Sequence, residues 1–213
     1  MILNAAMSLD GKISTKNGRA RISSPEDMER VQRLRASVNG IMVGINTLLT
    51  DDPSLRMKIE TDGPPPARIV VDSRLRTPPG ARLFSFPGKI IIGTTVGAPV
   101  ARRKRLMDRA EIIAVGDGQV DLVTLLEELR DRDIRRVLLE GGGTLNWGML
   151  ESGLIDEIVV AVAPLVIGGR ETITLFEGDG IEDMSQAYRL RPTGVERYGP
   201  DLVLTFKPRG AGR

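Results

Sequence analysis

Arg136-Val137-Leu138-Leu139-Glu140-Gly141-Gly142-Gly143-Thr144-Leu145-Asn146-Trp147-Gly148-Met149-Leu150 carries the change of pattern that decides the fold. A short apolar run ends in a carboxylate, three glycines follow, and a helix-like pattern begins. The expected local structure is a buried strand, a turn without Cβ atoms, and a helix whose N-terminus Thr144 caps. Glycines in such a turn let an anionic ligand approach the backbone. The exposed N–H groups of the helix start, together with its dipole, favour a phosphate there. The spacing is neither G-x-G-x-x-G nor the P-loop pattern ending in Gly-Lys-Ser/Thr, so the stretch fits an anion site or a plain strand-to-helix turn.

Working outward, Ile2 to Met7 reads as a buried first strand closed by the turn Ser8-Leu9-Asp10-Gly11-Lys12. Ile13 to Arg21 is a polar loop. Ser23 or Ser24 before Pro25 starts a helix in which Met28, Val31, Leu34 and Val38 recur at helical spacing, running to about Asn39-Gly40. Ile41 to Gly44 is a second strand, and the stretch Ile45 to Pro53 holds one helical turn ending before the proline. Thr61 to Pro66 is the linker candidate by composition and reads as a surface loop. Arg68 to Asp72 and Lys89 to Thr94 are apolar runs with polar C-terminal ends, as parallel strands covered on both faces require. Val100 to Ala110 is an exposed helix, Glu111 to Val115 a strand, and Leu122, Leu125, Leu126 and Leu129 mark an amphipathic helix. Glu157 to Pro164 is another strand, and Val195 to Tyr198 with Leu202 to Phe206 a terminal antiparallel hairpin.

Strands alternating with helices define an α/β domain with a mostly parallel central sheet flanked by helices. Ligands of such sheets lie outside the C-terminal strand edges, where Asn4, Gly44, Asp72, Ser73, Thr94, Thr95, Glu140 and the glycines fall. One domain over residues 1–207 is expected, with 208–213 as a frayed basic tail.

Composition excludes several chemistries. There is no Cys and no His, which removes a thiolate nucleophile, a Ser-His pair and the commonest zinc ligands. No Asp/Glu cluster has loop-type ligand spacing, so no metal is expected. The net charge of +2 and 3% aromatics give little to hold or stack nucleic acid. No run approaches the roughly 18 apolar residues needed to span a membrane, so a cytoplasmic protein is expected. The chemistry therefore falls to a bound cofactor that the protein orients.

Five ordered motifs then resemble one family: Ser8-Leu9-Asp10-Gly11-Lys12, Val43 through Pro53, Val71-Asp72-Ser73, Glu140 through Leu145, and Ala163 through Gly169. Over nearly the whole chain they are similar to the riboflavin-biosynthesis reductases of dihydrofolate-reductase-like fold. Within these the likeness is to the stand-alone archaeal type, which acts on 2,5-diamino-6-ribosylamino-4(3H)-pyrimidinone 5′-phosphate. Bacterial relatives often carry a zinc deaminase with a His-x-Glu and Pro-Cys-x-x-Cys signature, which a chain without His and Cys cannot contain.

The resemblance implies hydride transfer from NADPH to C1′ of the ribosylamino group, giving a ribitylamino product, in a homodimer. It implies cofactor contacts from Ala6, Thr47, Asp51, Val71, Asp72, Ser73, Arg74, Gly141, Gly142, Gly143, Thr144 and Leu145. Thr47 would lie near the pyrophosphate, Ala6 would offer backbone to the nicotinamide amide, and Ser73 with Arg74 would face the adenosine 2′-phosphate. Substrate contacts would come from Arg35, Leu55, Arg56, Lys58 and Glu140, the three cations neutralising the ribose phosphate. No catalytic side chain is implied, and Glu140 is the substrate-orienting candidate. Asp10-Gly11 reads as a turn, and the basic run Arg102 to Arg105 as solvated surface or a second 2′-phosphate contact. The alternatives are a reductase of another pyrimidine or pteridine on this fold, or a non-catalytic NADP(H)-binding dimer module.

Overall fold

Apolar runs bounded by turn residues become strands, and the segments of helical period between them become helices, as the pattern requires. The computed structural model describes residues 1–18, 21–59 and 63–209. In chain order the elements are β1 (Ile2–Ser8), α1 (Pro25–Ala36), β2 (Gly40–Gly44), α2 (Ile45–Asp51), β3 (Ala67–Val71) and β4 (Ile90–Thr94). There follow α3 (Val100–Leu106), β5 (Glu111–Ala114), α4 (Leu122–Arg130), β6 (Val137–Leu139), α5 (Gly143–Glu151), β7 (Glu157–Ala163), β8 (Leu190–Tyr198) and β9 (Asp201–Pro208). Single 3-10 turns occur at Arg82–Ser85 and Met184–Gln186. The loop expected over Ile13 to Arg21 and the linker candidate Thr61 to Pro66 lie partly outside the described residues.

The chain gathers into two units, Met1–Val31 with Leu139–Arg213, and Gln32–Leu138. In the second unit β2, β3, β4 and β5 form a parallel ladder, with Val43 opposite Val70, Val70 opposite Ile92, and Ile92 opposite Ile112. Their parallel sense brings the carboxyl ends of the strands to one edge, where turns carry the polar residues. Helix α4 is capped by Asp121, whose carboxylate accepts the Thr124 N–H at 3.1 Å, and it buries Leu125 and Leu129 completely. Each of those two side chains contributes roughly 1.5–3 kcal/mol by leaving water.

In the first unit β1 and β7 pair in parallel, Ala6 opposite Ala161, and β7, β9 and β8 continue antiparallel. Val159, Ala161 and Val203 form a buried cluster against which Ile2, Ala6 and Tyr198 pack. The terminal hairpin is longer than its apolar pattern suggests, because a bulge between Pro192 and Gly194 lets β8 start at Leu190. Of the tail expected over 208–213, Pro208 ends β9 and the Arg209 N–H donates to Arg189 O at 2.8 Å. Residues 210–213 lie outside the described residues.

Helix α1 departs from its sequence pattern. Ser24 caps it, its Oγ accepting the Asp27 N–H at 3.2 Å, but the residues it buries are Asp27 and Arg30, and Met28 is exposed. Arg30 Nε donates to Asp27 at 2.8 Å and Nη2 donates to Asn4 on β1 at 2.8 Å. A buried charge is tolerated when it is paired and hydrogen-bonded, and this pair shares the packed face with half-buried Val31 and Leu34.

Candidate active site

The site residues named from the sequence divide between the two units. In the first unit, β1 delivers Ala6, half-buried with its side chain on the Val159–Ala161–Val203 cluster. The turn after β1 is tightly tied. Ser8 Oγ donates to Asp10 at 2.6 Å and accepts the Lys12 N–H at 2.9 Å. Asp10 in turn accepts the backbone N–H of Ile167 at 3.0 Å and of Gly168 at 2.7 Å. The Ser8 hydroxyl and those two N–H groups hold its carboxyl down to about 2.

Those contacts fasten a strap of chain after β7. Leu9 N–H donates to Leu165 O, Ile13 N–H to Ile173 O, and the Lys12 ammonium to Thr172 O at 3.0 Å. The strap then reaches the glycine turn. Glu177 accepts both the N–H and the hydroxyl of Thr174 at 2.6 Å, which with nearby Lys12 holds its carboxyl below the usual carboxylate range. The Glu177 N–H donates to Gly143 O at 3.0 Å, and Asn146 Nδ2 donates to Leu175 O at 2.8 Å.

The turn itself has Gly141 at φ 85° and Gly142 at φ 99°, conformations that suit only glycine. Helix α5 starts at Gly143 with Gly142 as its N-cap and no side chain capping it, so Thr144 is a first-turn residue and not the cap expected. The reason for glycine also differs from the sequence reading. A Cβ on Gly143 would stand 2.4 Å from Glu177 Cγ and 2.6 Å from Thr174 O, and one on Gly141 3.2 Å from Asn146 Oδ1. At these two positions the absent side chain makes room for the strap and for Asn146. The uncapped first turn of α5, with Thr144 exposed and Leu145 buried, is still a positive helix end, and its donors suit a pyrophosphate. Glu140 stands half-buried between β6 and this turn.

In the second unit α2 follows β2 directly. Thr47 lies in its first turn, half-buried, and exposed Asp51 is its last residue. At the end of β3, Val71 is half-buried and Asp72 fully buried. The Asp72 carboxylate accepts the N–H and hydroxyl of Thr77 at 2.7 and 2.8 Å, so it organises its own turn. Ser73 is half-buried and Arg74 exposed on that turn.

The residues of this unit expected on the substrate side lie on two segments that touch. Arg35 near the end of α1 donates from Nη1 to Arg56 O at 2.9 Å, and the Lys58 N–H donates to Gln32 on the same helix at 2.8 Å. The Arg56 guanidinium lies 4.7 Å over the Phe86 ring. Leu55 is buried at φ 49° and turns the chain between them. Arg35, Arg56 and Lys58 thus lie on two segments that touch, and a set of cations there would suit a dianionic phosphate. Two residues outside the expected site sets bear on these sites. Asp10 reads locally as a turn former, although its carboxylate ties the strap. Arg102 sits in a run of four basic residues, and its Nη1 donates to Arg74 O at 2.9 Å.

Comparison with known proteins agrees on this chain's kinship. The sequence profile described as the RibD C-terminal domain matches residues 1–204. A relative from Methanothermobacter thermautotrophicus, named 2,5-diamino-6-ribosylamino-4(3H)-pyrimidinone 5′-phosphate reductase, is 46% identical over 213 residues, covering 99% of this chain and 98% of the relative. One of the same name from Archaeoglobus fulgidus is 38% identical, covering 97% of each. Among solved structures, Acinetobacter baumannii RibD superposes with a TM-score of 0.83 at 28% identity over 98% of this chain, which spans 57% of that one. The Saccharomyces riboflavin biosynthesis reductase Rib7 does so at 0.74 and 20% identity, covering 98% of this chain and 89% of that one, a likeness of fold. The fold is dihydrofolate-reductase-like, and no helix among the described residues is long and apolar enough to cross a membrane.

Proposed function

Since the chain belongs to the RibD C-terminal domain family, whose relatives are named reductases, we propose that it is an NADPH-dependent oxidoreductase of riboflavin biosynthesis. Its reaction is reduction of the ribosylamino side chain of 2,5-diamino-6-ribosylamino-4(3H)-pyrimidinone 5′-phosphate to the ribitylamino product. The observation that carries the substrate side is that the segment of Arg56 and Lys58 is tied to α1, by Arg35 to Arg56 O and by the Lys58 N–H to Gln32, so that Arg35, Arg56 and Lys58 stand on adjoining segments. A module that only bound a cofactor has no need of three cations there, and they supply the counter-charge for a ribose phosphate.

Bound NADPH supplies the hydride. In the first unit, the first-turn N–H groups of α5 at Gly143, Thr144 and Leu145 serve its pyrophosphate, with Gly141 and Gly142 shaping the approach, and Ala6 offers backbone to the nicotinamide amide. In the second unit, Thr47 and Asp51 on α2 and Val71 through Arg74 after β3 serve the rest of the cofactor, the Arg74 fork suiting a phosphate. Glu140 accepts hydrogen bonds from the pyrimidine amino groups or ribose hydroxyls and so orients the sugar. Opening of the sugar aminal to an imine needs no strong side-chain acid, which is consistent with a chain that contains no histidine. The whole of 1–207 serves as one reductase domain in a cytoplasmic homodimer. Exposed Val195 and Leu202, on the same face of the β8–β9 hairpin, support the dimer.

The test is loss of the reduced nicotinamide's absorbance with the ribosylamino-pyrimidinone phosphate, its deaminated analogue and dihydrofolate in parallel. Turnover with a ribosylamino compound is expected. No turnover with either of them sinks the reading.

A further inference from the structure

At the carboxyl end of β3 the backbone is fixed from several sides. Buried Asp72 accepts the Arg74 N–H at 3.4 Å as well as both Thr77 donors, and Leu75, at φ 49°, returns its N–H to Asp72 O. From the end of β4, the Thr95 hydroxyl donates to Ser73 O at 2.9 Å, and Ser73 Oγ accepts the Val120 N–H at 3.3 Å. The Ser73 hydroxyl proton therefore remains available as a donor, and the Arg74 side chain stands exposed on a rigid turn.

Arg102 comes to this turn from α3. Among the described residues it is the member of the run Arg102 to Arg105 whose guanidinium is hydrogen-bonded there, to Arg74 O at 2.9 Å. That contact uses one N–H of a fork that carries five. Neither Arg74 nor Arg102 pairs with a carboxylate among the described residues. Arg102 thus brings a guanidinium to the turn that carries Arg74, and an anion bound there is attracted by both side chains. Beside them the loop from β4 to α3, closed by Ala98 N–H to Thr95 O, presents Val96 at 61% and Val100 at 68% exposure. Cationic forks, a serine hydroxyl and a small apolar surface are the features that recognise a phosphorylated nucleoside.

We propose that Arg102 closes a two-arginine clamp with Arg74 on the adenosine 2′-phosphate and so sets the preference for NADPH over NADH, with Val96 and Val100 as the apolar ground for the adenine. This inference rests on the NADPH reading given above. The anchoring of Arg102 to Arg74 O holds its remaining donors in place, which lowers the entropy lost when the phosphate binds.

The experiment titrates the full chain with adenosine 2′,5′-bisphosphate and with adenosine 5′-monophosphate by calorimetry, for the unchanged protein, Arg102→Ala and Lys104→Ala. Charge-assisted hydrogen bonds of this kind predict that Arg102→Ala weakens the bisphosphate on the order of tenfold to a hundredfold and leaves the monophosphate unchanged. Lys104→Ala, which removes the same charge from the same helix, leaves both unchanged. In turnover, Arg102→Ala raises KM for NADPH and leaves NADH rates where they were. Equal bisphosphate affinity in Arg102→Ala and the unchanged protein overturns the clamp while leaving the NADPH reading intact. An equal loss in Lys104→Ala overturns it too, by showing a diffuse charge effect. If the unchanged protein binds neither probe, the clamp and the NADPH reading fall together.

Discussion

The Asp10 carboxylate accepts the Gly168 backbone N–H at 2.7 Å, joining the turn after the first strand to a strap far along the chain. With Ile167 N–H and the Ser8 hydroxyl on the same carboxylate, this makes an ionised clasp in a place where a turn-forming Asp-Gly needs none. Through Thr172, Thr174 and Glu177 the same strap lies against the glycine turn that starts α5.

The clasp has a pH signature. Its carboxyl is held down to about 2 by the Ser8 hydroxyl first, then by the Ile167 and Gly168 N–H groups. A depressed folded-state value means that the contribution is present in full above the unfolded value near 4, and fades as pH falls toward 2. Asp10→Asn replaces one acceptor oxygen with a donor facing those N–H groups. Hydrogen exchange at Ile167 and Gly168 is expected to speed up at neutral pH, and the gap in thermal midpoint between variant and parent to narrow below about pH 4. A pH-independent gap refutes the clasp.

The glycine turn separates packing from binding. Gly143→Ala sets a Cβ 2.4 Å from Glu177 Cγ and 2.6 Å from the Thr174 carbonyl oxygen, and the carbonyl cannot swing away as a side-chain end does. Overpacking of that sort costs about 1–3 kcal/mol, and the strap has to shift. Thermal denaturation is expected to show the loss without any cofactor present. A variant as stable as the parent shows that the strap does not depend on Gly143.

Charge at the two ends of the proposed chemistry gives opposite kinetic outcomes. Glu140→Gln keeps shape and removes charge, so turnover falls on the order of tenfold to a hundredfold with NADPH affinity nearly unchanged. Asp51→Ala, on the last residue of α2, raises the dissociation constant for NADPH and preserves turnover once cofactor saturates. Single-turnover rates and a cofactor titration on both variants check the pair. A Glu140→Gln protein that loses both equally has no separate substrate contact at that position.

What was legible in the sequence was what depends on local period and on punctuation. Ile90 to Thr94 and Leu122 to Arg130 carry their own pattern, so their strand and helix are visible without the fold. The turn at Gly141 to Gly143 was legible as a turn, but its reason is a neighbour, Glu177, that no local pattern points to. Met28 fits the helical spacing of α1 and is nonetheless exposed, because the most buried places on the helix go to Asp27 and to Arg30, which has a partner on β1. At the sites, the resemblance names Arg35, Arg56 and Lys58, whereas the contact between their two segments depends on how the chain after α2 returns to α1. The run Arg102 to Arg105 reads as solvated surface or a second 2′-phosphate contact, and a charge run carries no sign that its exposed member Arg102 bonds to a neighbouring turn.

That buried ion pair on α1 yields the sharpest stability test. The Asp27 side chain is 1% exposed and that of Arg30 10%, with Arg30 also bonded to Asn4 and set 5.8 Å from the Tyr198 ring. Asp27 Oδ2 has no hydrogen-bond partner among the described residues, so the carboxylate leans on Arg30 for most of its compensation. Arg30→Met leaves that carboxylate buried and unpaired, and removal of one partner from such a pair costs about 3–5 kcal/mol. Asp27→Leu alone strands the guanidinium at a similar cost. The double variant Asp27→Leu/Arg30→Met leaves no buried charge and is expected to recover most of the loss, because the desolvation of both ions disappears with them. Urea denaturation of the four proteins closes the cycle. Losses that simply add would show that the two residues act independently, and that α1 is held by its half-buried Val31 and Leu34 instead.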